Sequence, residues 1–150
     1  MFTALEEKQI NKFNHQLSRN ITIELVASRH KSNRLFNDFC DDLTRLMPKI
    51  EISKVQTDAQ DPPQILIGGG LRYQAIPTGH ELHPFLEALE ALDSGSIKIA
   101  EPIKRLLKKN NFPAALTVFI SPQCTFCPQT VRRLIALPMT AENHQLTIID

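Results

Sequence analysis

The stretch ALTVFISPQCTFCPQ, residues 115–129, joins an apolar run, a Cys-x-x-Cys pair and the start of a helical pattern. The run over 115–121 predicts a buried strand, and the apolar spacing after the cysteines predicts a helix to about Leu137. This order places Cys124 at a helix N-terminus, where backbone N–H groups favour a thiolate. Cys127 would lie one turn further on, within bonding reach of Cys124.

A Cys-x-x-Cys pair is a working dithiol, half of a metal site or a structural disulfide, depending on its surroundings. A structural zinc site normally takes four ligands, and no second metal-ligand spacing occurs among the remaining candidates Cys40, His30, His80 and His83. The strand before the pair and the helix after it favour a redox-active dithiol, with zinc and a structural pair as alternatives.

The third cysteine and two arginines bear on the interpretation of this cysteine pair. Cys40 falls on the apolar stripe of a predicted helix, and we interpret it as a buried, inert thiol. Arg132 and Arg133 follow the dithiol by one to two helical turns. We interpret them as solvated surface charges, with added positive potential at the dithiol as the alternative.

The composition restricts the class of protein. The chain has 150 residues, 42% of them hydrophobic and 22% charged, with a formal net charge of +1. Its charges form no basic stripe, so we expect no nucleic-acid partner. No apolar run approaches the roughly 18 residues that a membrane-spanning helix needs, and the N-terminus lacks the apolar segment of a signal peptide. We therefore expect no membrane contact and a cytoplasmic location, where such pairs are mostly redox-active or metal-binding.

The order helix, strand, helix, strand occurs twice along the chain. The first copy has its strands at 21–27 (ITIELVA) and 50–56 (IEISKVQ), and the second copy has them at 115–121 and 146–150. When Ile21 is aligned with Leu116, Arg29-His30-Lys31-Ser32 falls on the Cys-x-x-Cys. The first copy therefore has the scaffold without the dithiol.

The first copy continues further than the second one. It adds a predicted hairpin at 64–68 and 71–74 and a helix with its apolar stripe from Leu82 to Leu92, whereas the second copy reaches Asp150 before either element. We therefore expect the strand at 146–150 to lack one neighbour and to expose an edge. On this view the chain is a fragment of a longer protein or is completed by another chain, and a homo-oligomer stays open.

Together the two copies resemble the N-terminal part of the flavoprotein subunit of bacterial alkyl hydroperoxide reductase, and also the related tandem protein disulfide oxidoreductases. The resemblance spans about residues 3–150 and rests on NITIELVAS, PPQILIG, LRYQAIPTGHEL and FISPQCTFCP followed by LTIID. It implies an α/β chain of two thioredoxin-like (glutaredoxin-like) folds. Residues 1–93 would form a complete unit without cysteines, as in the family, and residues 94–150 the truncated β-α-β half of a second unit with the dithiol.

The resemblance also implies an electron relay. In the family, electrons pass from NAD(P)H to FAD, to a disulfide of the flavoprotein body, to the N-terminal dithiol and then to a peroxiredoxin. Cys124 would attack the partner and Cys127 would be the resolving thiol. The chain contains no G-x-G-x-x-G fingerprint, so we expect it to bind no cofactor itself, with FAD and NAD(P)H in a reductase body in cis or in trans.

Two alternatives to the relay stay open. One is a self-standing tandem protein disulfide oxidoreductase, and the other is a partner-docking module in which the dithiol is incidental, since a fold alone does not fix a function.

Three residues near the hairpin carry more specific expectations. Pro63 matches the cis-proline of a thioredoxin fold, which predicts a cis bond. Glu81 matches an acidic residue that the family places near the dithiol as an acid/base group, but Thr78 and Glu81 also fit a capping box, which is our main interpretation. Pro84 predicts a kink in the following helix or a helix that begins at His83.

Overall fold

The computed structural model describes residues 1–97, 99–109 and 112–150. In chain order its elements are α1 (Ala4–Gln16), β1 (Ile21–Ala27), α2 (Asn33–Leu46), β2 (Ile50–Gln56), β3 (Gln64–Ile67), β4 (Leu71–Gln74), a short 3₁₀ helix (Gly79–Glu81), α3 (Leu82–Ser94), α4 (Glu101–Lys109), β5 (Ala114–Phe119), α5 (Cys127–Thr140) and β6 (His144–Ile149). The apolar spacing over 96–110 predicts a helix from about Ser96, and helix α4 begins later, at Glu101. Lys98 and Asn110 of that range lie outside the described residues.

Within the described part of the chain, six strands form one continuous sheet in the order β2-β1-β3-β4-β6-β5. Strands β1 and β2 are parallel, as are β5 and β6, so each predicted copy supplies one β-α-β unit. Strand β3 pairs antiparallel with both β1 and β4, and β4 pairs parallel with β6. The sheet therefore runs without interruption from the first copy into the second. The division of the chain at residues 93 and 94 stays a prediction.

One face of this sheet carries the hydrophobic core. Directly paired residues lie on the same face, and the register links Leu25, Ile65, Tyr73, Ile148 and Val118 in one row across five strands. The first four of these side chains are fully buried, and Val118 on β5 is half-buried. The hydrophobic core is therefore fully buried in the first copy and partly exposed to solvent at β5.

The strand at the end of the chain is not an edge, which corrects our expectation for 146–150. Strand β6 lies between β4 and β5, and the N–H of Leu146 donates to the carbonyl oxygen of Gly70 at 2.8 Å. The first copy thus supplies the neighbour that β6 was expected to lack, because its outer strand β4 has a side free for a parallel partner. Within the described residues the two edges of the sheet are β2 and β5.

Two expectations about prolines are also corrected. The described residues have only trans peptide bonds, so the prediction that Pro63 is cis is wrong. The first copy has no dithiol beside Pro63 to pack against, and trans is the ordinary state of such a bond. Helix α3 begins at Leu82, one residue before the predicted start, and Pro84 falls in its first turn, where the N–H that proline lacks would have no partner inside the helix.

The first unit lacks a dithiol but is not free of cysteines. Cys40 lies in α2 and is 1% exposed, as expected for a core thiol. No helix in the described part of the chain combines the length and the apolar character needed to cross a membrane.

Candidate active site

The two cysteines of the second unit form a disulfide bond at the start of α5. Their Cα atoms are 5.5 Å apart. Helix α5 begins at Cys127, and Cys124 lies in the preceding turn, where its N–H donates to the carbonyl oxygen of Ser121 at 2.9 Å. The sequence pattern predicted a helix N-terminus at Cys124, and the helix begins three residues later, at Cys127. Strand β5 and helix α5 flank the turn that carries the two cysteines.

The backbone of the turn is arranged to stabilise negative charge on Cys124. The N–H of Cys127 donates to Sγ of Cys124 at 3.1 Å. In the reduced protein the same N–H and the positive end of the α5 dipole would stabilise a thiolate at that sulfur. Both cysteines are partly exposed and Phe126 between them is 77% exposed, so Cys124 is accessible from solvent.

The nearby arginines contribute less. Arg132 forms a bidentate ion pair with Glu87 of α3, with nitrogen–oxygen distances of 2.6 and 2.5 Å. Its charge is therefore neutralised at the contact between α5 and α3, and added potential at the dithiol is not its main role. Arg133 is exposed, as expected for a surface charge.

Glu81 is buried without the capping role that we expected for it. Its residue is 6% exposed, and neither carboxylate oxygen has a hydrogen-bond partner among the described residues. Thr78 is the N-cap of the 3₁₀ helix, but its side chain makes no capping hydrogen bond, so the predicted capping box is wrong. The N–H of Gly79 instead donates to Oε1 of Glu6 on α1 at 2.7 Å. The carboxylate of Glu6 thus accepts a hydrogen bond from the first N–H of the 3₁₀ helix.

The surroundings of Glu81 connect it with the dithiol turn. Glu81 lines a cavity of about 320 Å³ together with Ile76 after β4 and with Ile120 and Pro122, which follow β5 and lead to Cys124. Helix α5 packs against the 3₁₀ helix as well as against α3. Burial raises the pKa of the Glu81 carboxyl. The structure thus places a carboxyl of increased proton affinity beside the segment that carries the dithiol, without a direct hydrogen bond to either sulfur.

Tyr73 is a buried polar residue that no sequence motif marks as part of the site. Its hydroxyl group has no hydrogen-bond partner in the part of the chain that is described. Burial raises the pKa of Tyr73 well above its ordinary value, and the negative charge of Glu81 adds to this effect. The alternation in LRYQ indicated that its side chain points into the core, but nothing in the pattern indicated that Glu81 lies near it.

The corresponding turn of the first unit shows what replaces the dithiol. Nδ1 of His30 lies 2.7 Å from Oγ of Ser32 and accepts a hydrogen bond from the Ser32 N–H at 3.2 Å. The N–H of Ser28 donates to Oδ1 of Asn33 at 3.0 Å. A side-chain hydrogen bond therefore ties the end of β1 to the start of α2 in the first unit, whereas in the second the disulfide ties the turn to the start of α5.

A structural zinc ion would need further ligands beside the two cysteines. Across residues 1–97, 99–109 and 112–150, no group of three or more His, Cys, Asp or Glu side chains is arranged to hold a metal ion. The two cysteines are instead joined to each other.

Solved structures of similar fold include two from Enterococcus faecalis. The first is the NTD_N/C domain of alkylhydroperoxide reductase AhpF, with a TM-score of 0.84 and 17% identity over 100% of this chain and 80% of that chain. The second is an AhpF C503A mutant, with a TM-score of 0.85 and 16% identity over 99% and 79% of the two chains.

A protein disulfide oxidoreductase from Aeropyrum pernix also matches, with a TM-score of 0.76 and 12% identity over 97% of this chain and 74% of that chain. No protein-family model and no curated protein sequence matches the chain. At these identities the likeness establishes the fold: this chain has the thioredoxin-like α/β architecture of the AhpF N-terminal domain and of protein disulfide oxidoreductases.

Proposed function

We propose that the chain is a thiol–disulfide oxidoreductase module in which Cys124 and Cys127 are the redox-active pair. The observation that carries this proposal is the disulfide bond at the first residue of α5, with the Cys127 N–H directed at Sγ of Cys124. This arrangement gives one sulfur atom a means of stabilising its thiolate and keeps the second within bonding distance. The docking-module alternative assigns no role to either feature.

The reaction is a two-electron exchange with a partner disulfide. The Cys124 thiolate attacks one sulfur atom of that disulfide, forms a mixed disulfide and releases the first partner sulfur as a thiolate. The Cys127 thiolate then attacks Sγ of Cys124, releases the second partner sulfur and re-forms the Cys124–Cys127 bond. The partner gains two electrons and the module loses two.

Glu81 is proposed as the acid/base group for this exchange. Cys127 must lose a proton before it attacks, and the partner thiolates must gain protons. The Glu81 carboxyl lies in the cavity that reaches Pro122, it has no hydrogen-bond partner among the described residues, and burial raises its pKa. A raised pKa brings a carboxyl closer to the working pH, at which a general acid or base transfers protons most effectively.

The proposed place of the module is the peroxiredoxin-reducing relay of an alkyl hydroperoxide reductase system. A flavoprotein disulfide reductase that holds FAD and uses NAD(P)H would reduce the Cys124–Cys127 bond, either in cis or in trans, and a peroxiredoxin would take the electrons. The likeness to the AhpF domain supports this assignment. The proposed location is the cytoplasm, where a reducible dithiol of this kind is maintained.

A second candidate is a self-standing protein disulfide oxidoreductase, which the likeness to the Aeropyrum pernix protein favours. The two proposals share the Cys124–Cys127 chemistry and differ in the partner. The relay requires fast exchange with a peroxiredoxin disulfide and with a flavoprotein reductase. The second candidate requires comparable rates with unrelated protein disulfides.

Trapping the mixed disulfide tests the proposal. We expect reduced Cys127→Ser to form a stable covalent complex with a peroxiredoxin in its disulfide form, because the resolving thiol is absent. Cys124→Ser should form none, and Cys40→Ser, the matched control, should reduce the partner at the wild-type rate. Full activity in Cys124→Ser would contradict the proposed chemistry. Equal rates with the peroxiredoxin and with insulin would favour the second candidate.

A further inference from the structure

The 3₁₀ helix that carries Glu81 receives no cap from its own N-cap residue. Thr78 occupies that position, but the Thr78 side chain makes no capping hydrogen bond. The helix is a single turn of three residues, closed by the Glu81 N–H, which donates to the carbonyl oxygen of Thr78 at 3.2 Å. Because the hydrogen-bond geometry of a 3₁₀ helix is poor, the position of this turn depends on the contacts that the rest of the fold makes with it.

The carboxylate of Glu6 binds the starts of two helices at once. Its Oε2 accepts hydrogen bonds from the Thr3 N–H at 2.8 Å and from the Thr3 hydroxyl group at 2.7 Å, within the capping box of α1. Its Oε1 accepts the hydrogen bond from the Gly79 N–H at 2.7 Å. Since the capping box fixes the Glu6 side chain, the second oxygen gives Gly79 an acceptor at a defined place.

The hydrogen bond between Glu6 and Gly79 is charge-assisted. Burial of the Glu6 carboxyl opposes its ionisation, but the hydrogen bonds from Thr3 and from the Gly79 N–H outweigh this effect and lower the pKa of Glu6. Glu6 is therefore ionised near neutral pH, and an N–H binds a carboxylate more strongly than a neutral oxygen. Gly79 is exposed, so water can bind its N–H when the carboxylate is removed. What the carboxylate supplies is a fixed position for the turn.

The position of the turn decides where the Glu81 carboxyl lies. Glu81 follows Gly79 by two residues, which is about 4 Å along a 3₁₀ helix. Glu81 is 6% exposed, and the 3₁₀ helix packs against α5, which begins at Cys127. Burying a carboxyl without a hydrogen-bond partner costs free energy, and the Glu81 side chain has no such partner among the described residues. The contacts that keep Glu81 buried must therefore act on the backbone of the turn.

We propose that Glu6 is a positioning residue of the dithiol site, which holds the Glu81 carboxyl in its buried place beside α5 through the Gly79 N–H. The catalytic consequence of this contact rests on the acid/base role proposed for Glu81, whereas the positioning itself does not. Without the Glu6 carboxylate the turn moves outward and water reaches the Glu81 carboxyl. Less of that carboxyl then holds a proton near neutral pH, and its exchange of protons with the dithiol weakens.

Titration of Glu81 tests the positioning without reference to activity. Carboxyl-carbon NMR of the full chain should show the pKa of Glu81 above its ordinary value in wild type, as burial requires. In Glu6→Ala this pKa should fall toward the ordinary value, and Glu6→Gln, which keeps an acceptor oxygen for Gly79, should lie closer to wild type. Thr3→Val is the matched control, because it removes the hydroxyl group of the capping box and keeps both Glu6 oxygens. The pKa of Glu81 should not change in that variant.

Three results of the titration would overturn the proposal. The first is a Glu81 pKa at its ordinary value in wild type, since the carboxyl would then not be held in a buried place. The second is an unchanged Glu81 pKa in Glu6→Ala. The third is an equal fall in Glu6→Ala and in Thr3→Val, which would assign the effect to the loss of the α1 cap and not to the contact with Gly79.

Rates of peroxiredoxin reduction separate this proposal from the proposed function. Glu6→Ala should slow the reduction by about tenfold, and Glu81→Gln should slow it more, because the first variant displaces the acid/base group and the second removes it. In a Glu81→Gln background, Glu6→Ala should cause no further loss. Equal losses in both backgrounds would show that Glu6 acts only on the stability of the fold, and the proposal would fail. If Glu81→Gln keeps the wild-type rate, the acid/base role of Glu81 fails, while the NMR titration still decides whether Glu6 positions it.

Discussion

Gly70 and His144 lie so close together that a Cβ built on Gly70 would be 2.3 Å from the His144 carbonyl oxygen and 2.8 Å from Cβ of Pro138. The contact occurs where β4 of the first unit meets β6 of the second, beside the hydrogen bond from Leu146 to Gly70. Only a residue without a side chain allows the two backbones this approach. Gly70 is thus a requirement for the continuous sheet.

The first prediction concerns Gly70→Ala. The added methyl group meets a backbone carbonyl that cannot rotate away, so we expect the free energy of unfolding to fall by about 1–3 kcal/mol. Gly69→Ala is the matched control, because nothing lies within 4 Å of its added Cβ, and its effect should stay within about 0.5 kcal/mol. Urea unfolding measures both. Equal stability of the two variants would show that the β4–β6 contact is looser than described.

The second prediction concerns Asp93, which joins the end of α3 to the segment after α1. Its carboxylate accepts hydrogen bonds from the N–H groups of Ser18 and Arg19 at 2.9 and 3.2 Å, and its side chain is 7% exposed. The backbone hydrogen bond from Ser18 lowers the pKa of Asp93 most. Because folding lowers this pKa, the ionised Asp93 stabilises the folded state at pH values above the ordinary pKa of about 3.9. This stability is lost as the pH falls through the pKa of the folded state.

Asp93→Asn should therefore be less stable than wild type near pH 7, by about 1.5–3 kcal/mol for hydrogen bonds to a charged group. The difference should shrink as the pH falls toward the lowered pKa. Asp58→Asn removes an exposed ion pair with Arg29 and should cost at most about 1 kcal/mol. Thermal unfolding from pH 7 to acidic pH provides the measurement. If the difference in stability between Asp93→Asn and wild type grows as the pH falls, the claim that folding lowers the pKa of Asp93 is wrong.

The sequence predicted those parts of the fold that depend on local patterns. Strand β1 begins and ends where its alternation does, at Ile21 and Ala27, and the dithiol turn lies between β5 and α5 as expected. The neighbours of β6 were not predictable in this way. Its pairing with β4 depends on the approach of Gly70 to His144, which are far apart in sequence and carry no shared pattern.

The capping motif shows why the site was harder to predict than the fold. The pattern Thr-x-x-Glu occurs at Thr3–Glu6 and again at Thr78–Glu81. The first forms a complete capping box at the start of α1, and the second forms none. The difference is tertiary: Glu6 also binds the Gly79 N–H, while Glu81 is buried against the core. A local pattern fixes the options of a side chain, and long-range packing selects among them.

The third prediction concerns the reactivity of Cys40. Burial raises the pKa of the Cys40 thiol to about 12, so at pH 8 only about one molecule in ten thousand would carry the thiolate that alkylating reagents attack. In the reduced native protein, iodoacetamide should label Cys124 and leave Cys40 unlabelled, whereas all three thiols should react after unfolding. Mass spectrometry of the labelled peptides distinguishes them. Labelling of native Cys40 at the rate of Cys124 would contradict its burial in α2.

The fourth prediction concerns Glu81→Gln and follows from the direction of the pKa change. Burial raises the pKa of Glu81, so between its ordinary pKa and the raised one the folded state holds a proton that the unfolded state has released. The wild type should therefore lose free energy of unfolding as the pH rises through that window. Glutamine keeps the shape and does not titrate. The stability of Glu81→Gln relative to wild type should then increase with pH and level off above the raised pKa.

The pH dependence, and not the absolute stability, is the decisive readout for this variant. The glutamine side chain of Glu81→Gln brings its own unsatisfied amide into the buried position, and that cost does not change with pH. Glu90→Gln, at an exposed position of α3, corrects for the loss of one surface charge. Chemical unfolding of wild type and both variants from pH 4 to 9 gives the comparison. If the difference between Glu81→Gln and wild type falls as the pH rises, Glu81 has a partner that stabilises its charge, and the proposed acid/base role loses its physical basis.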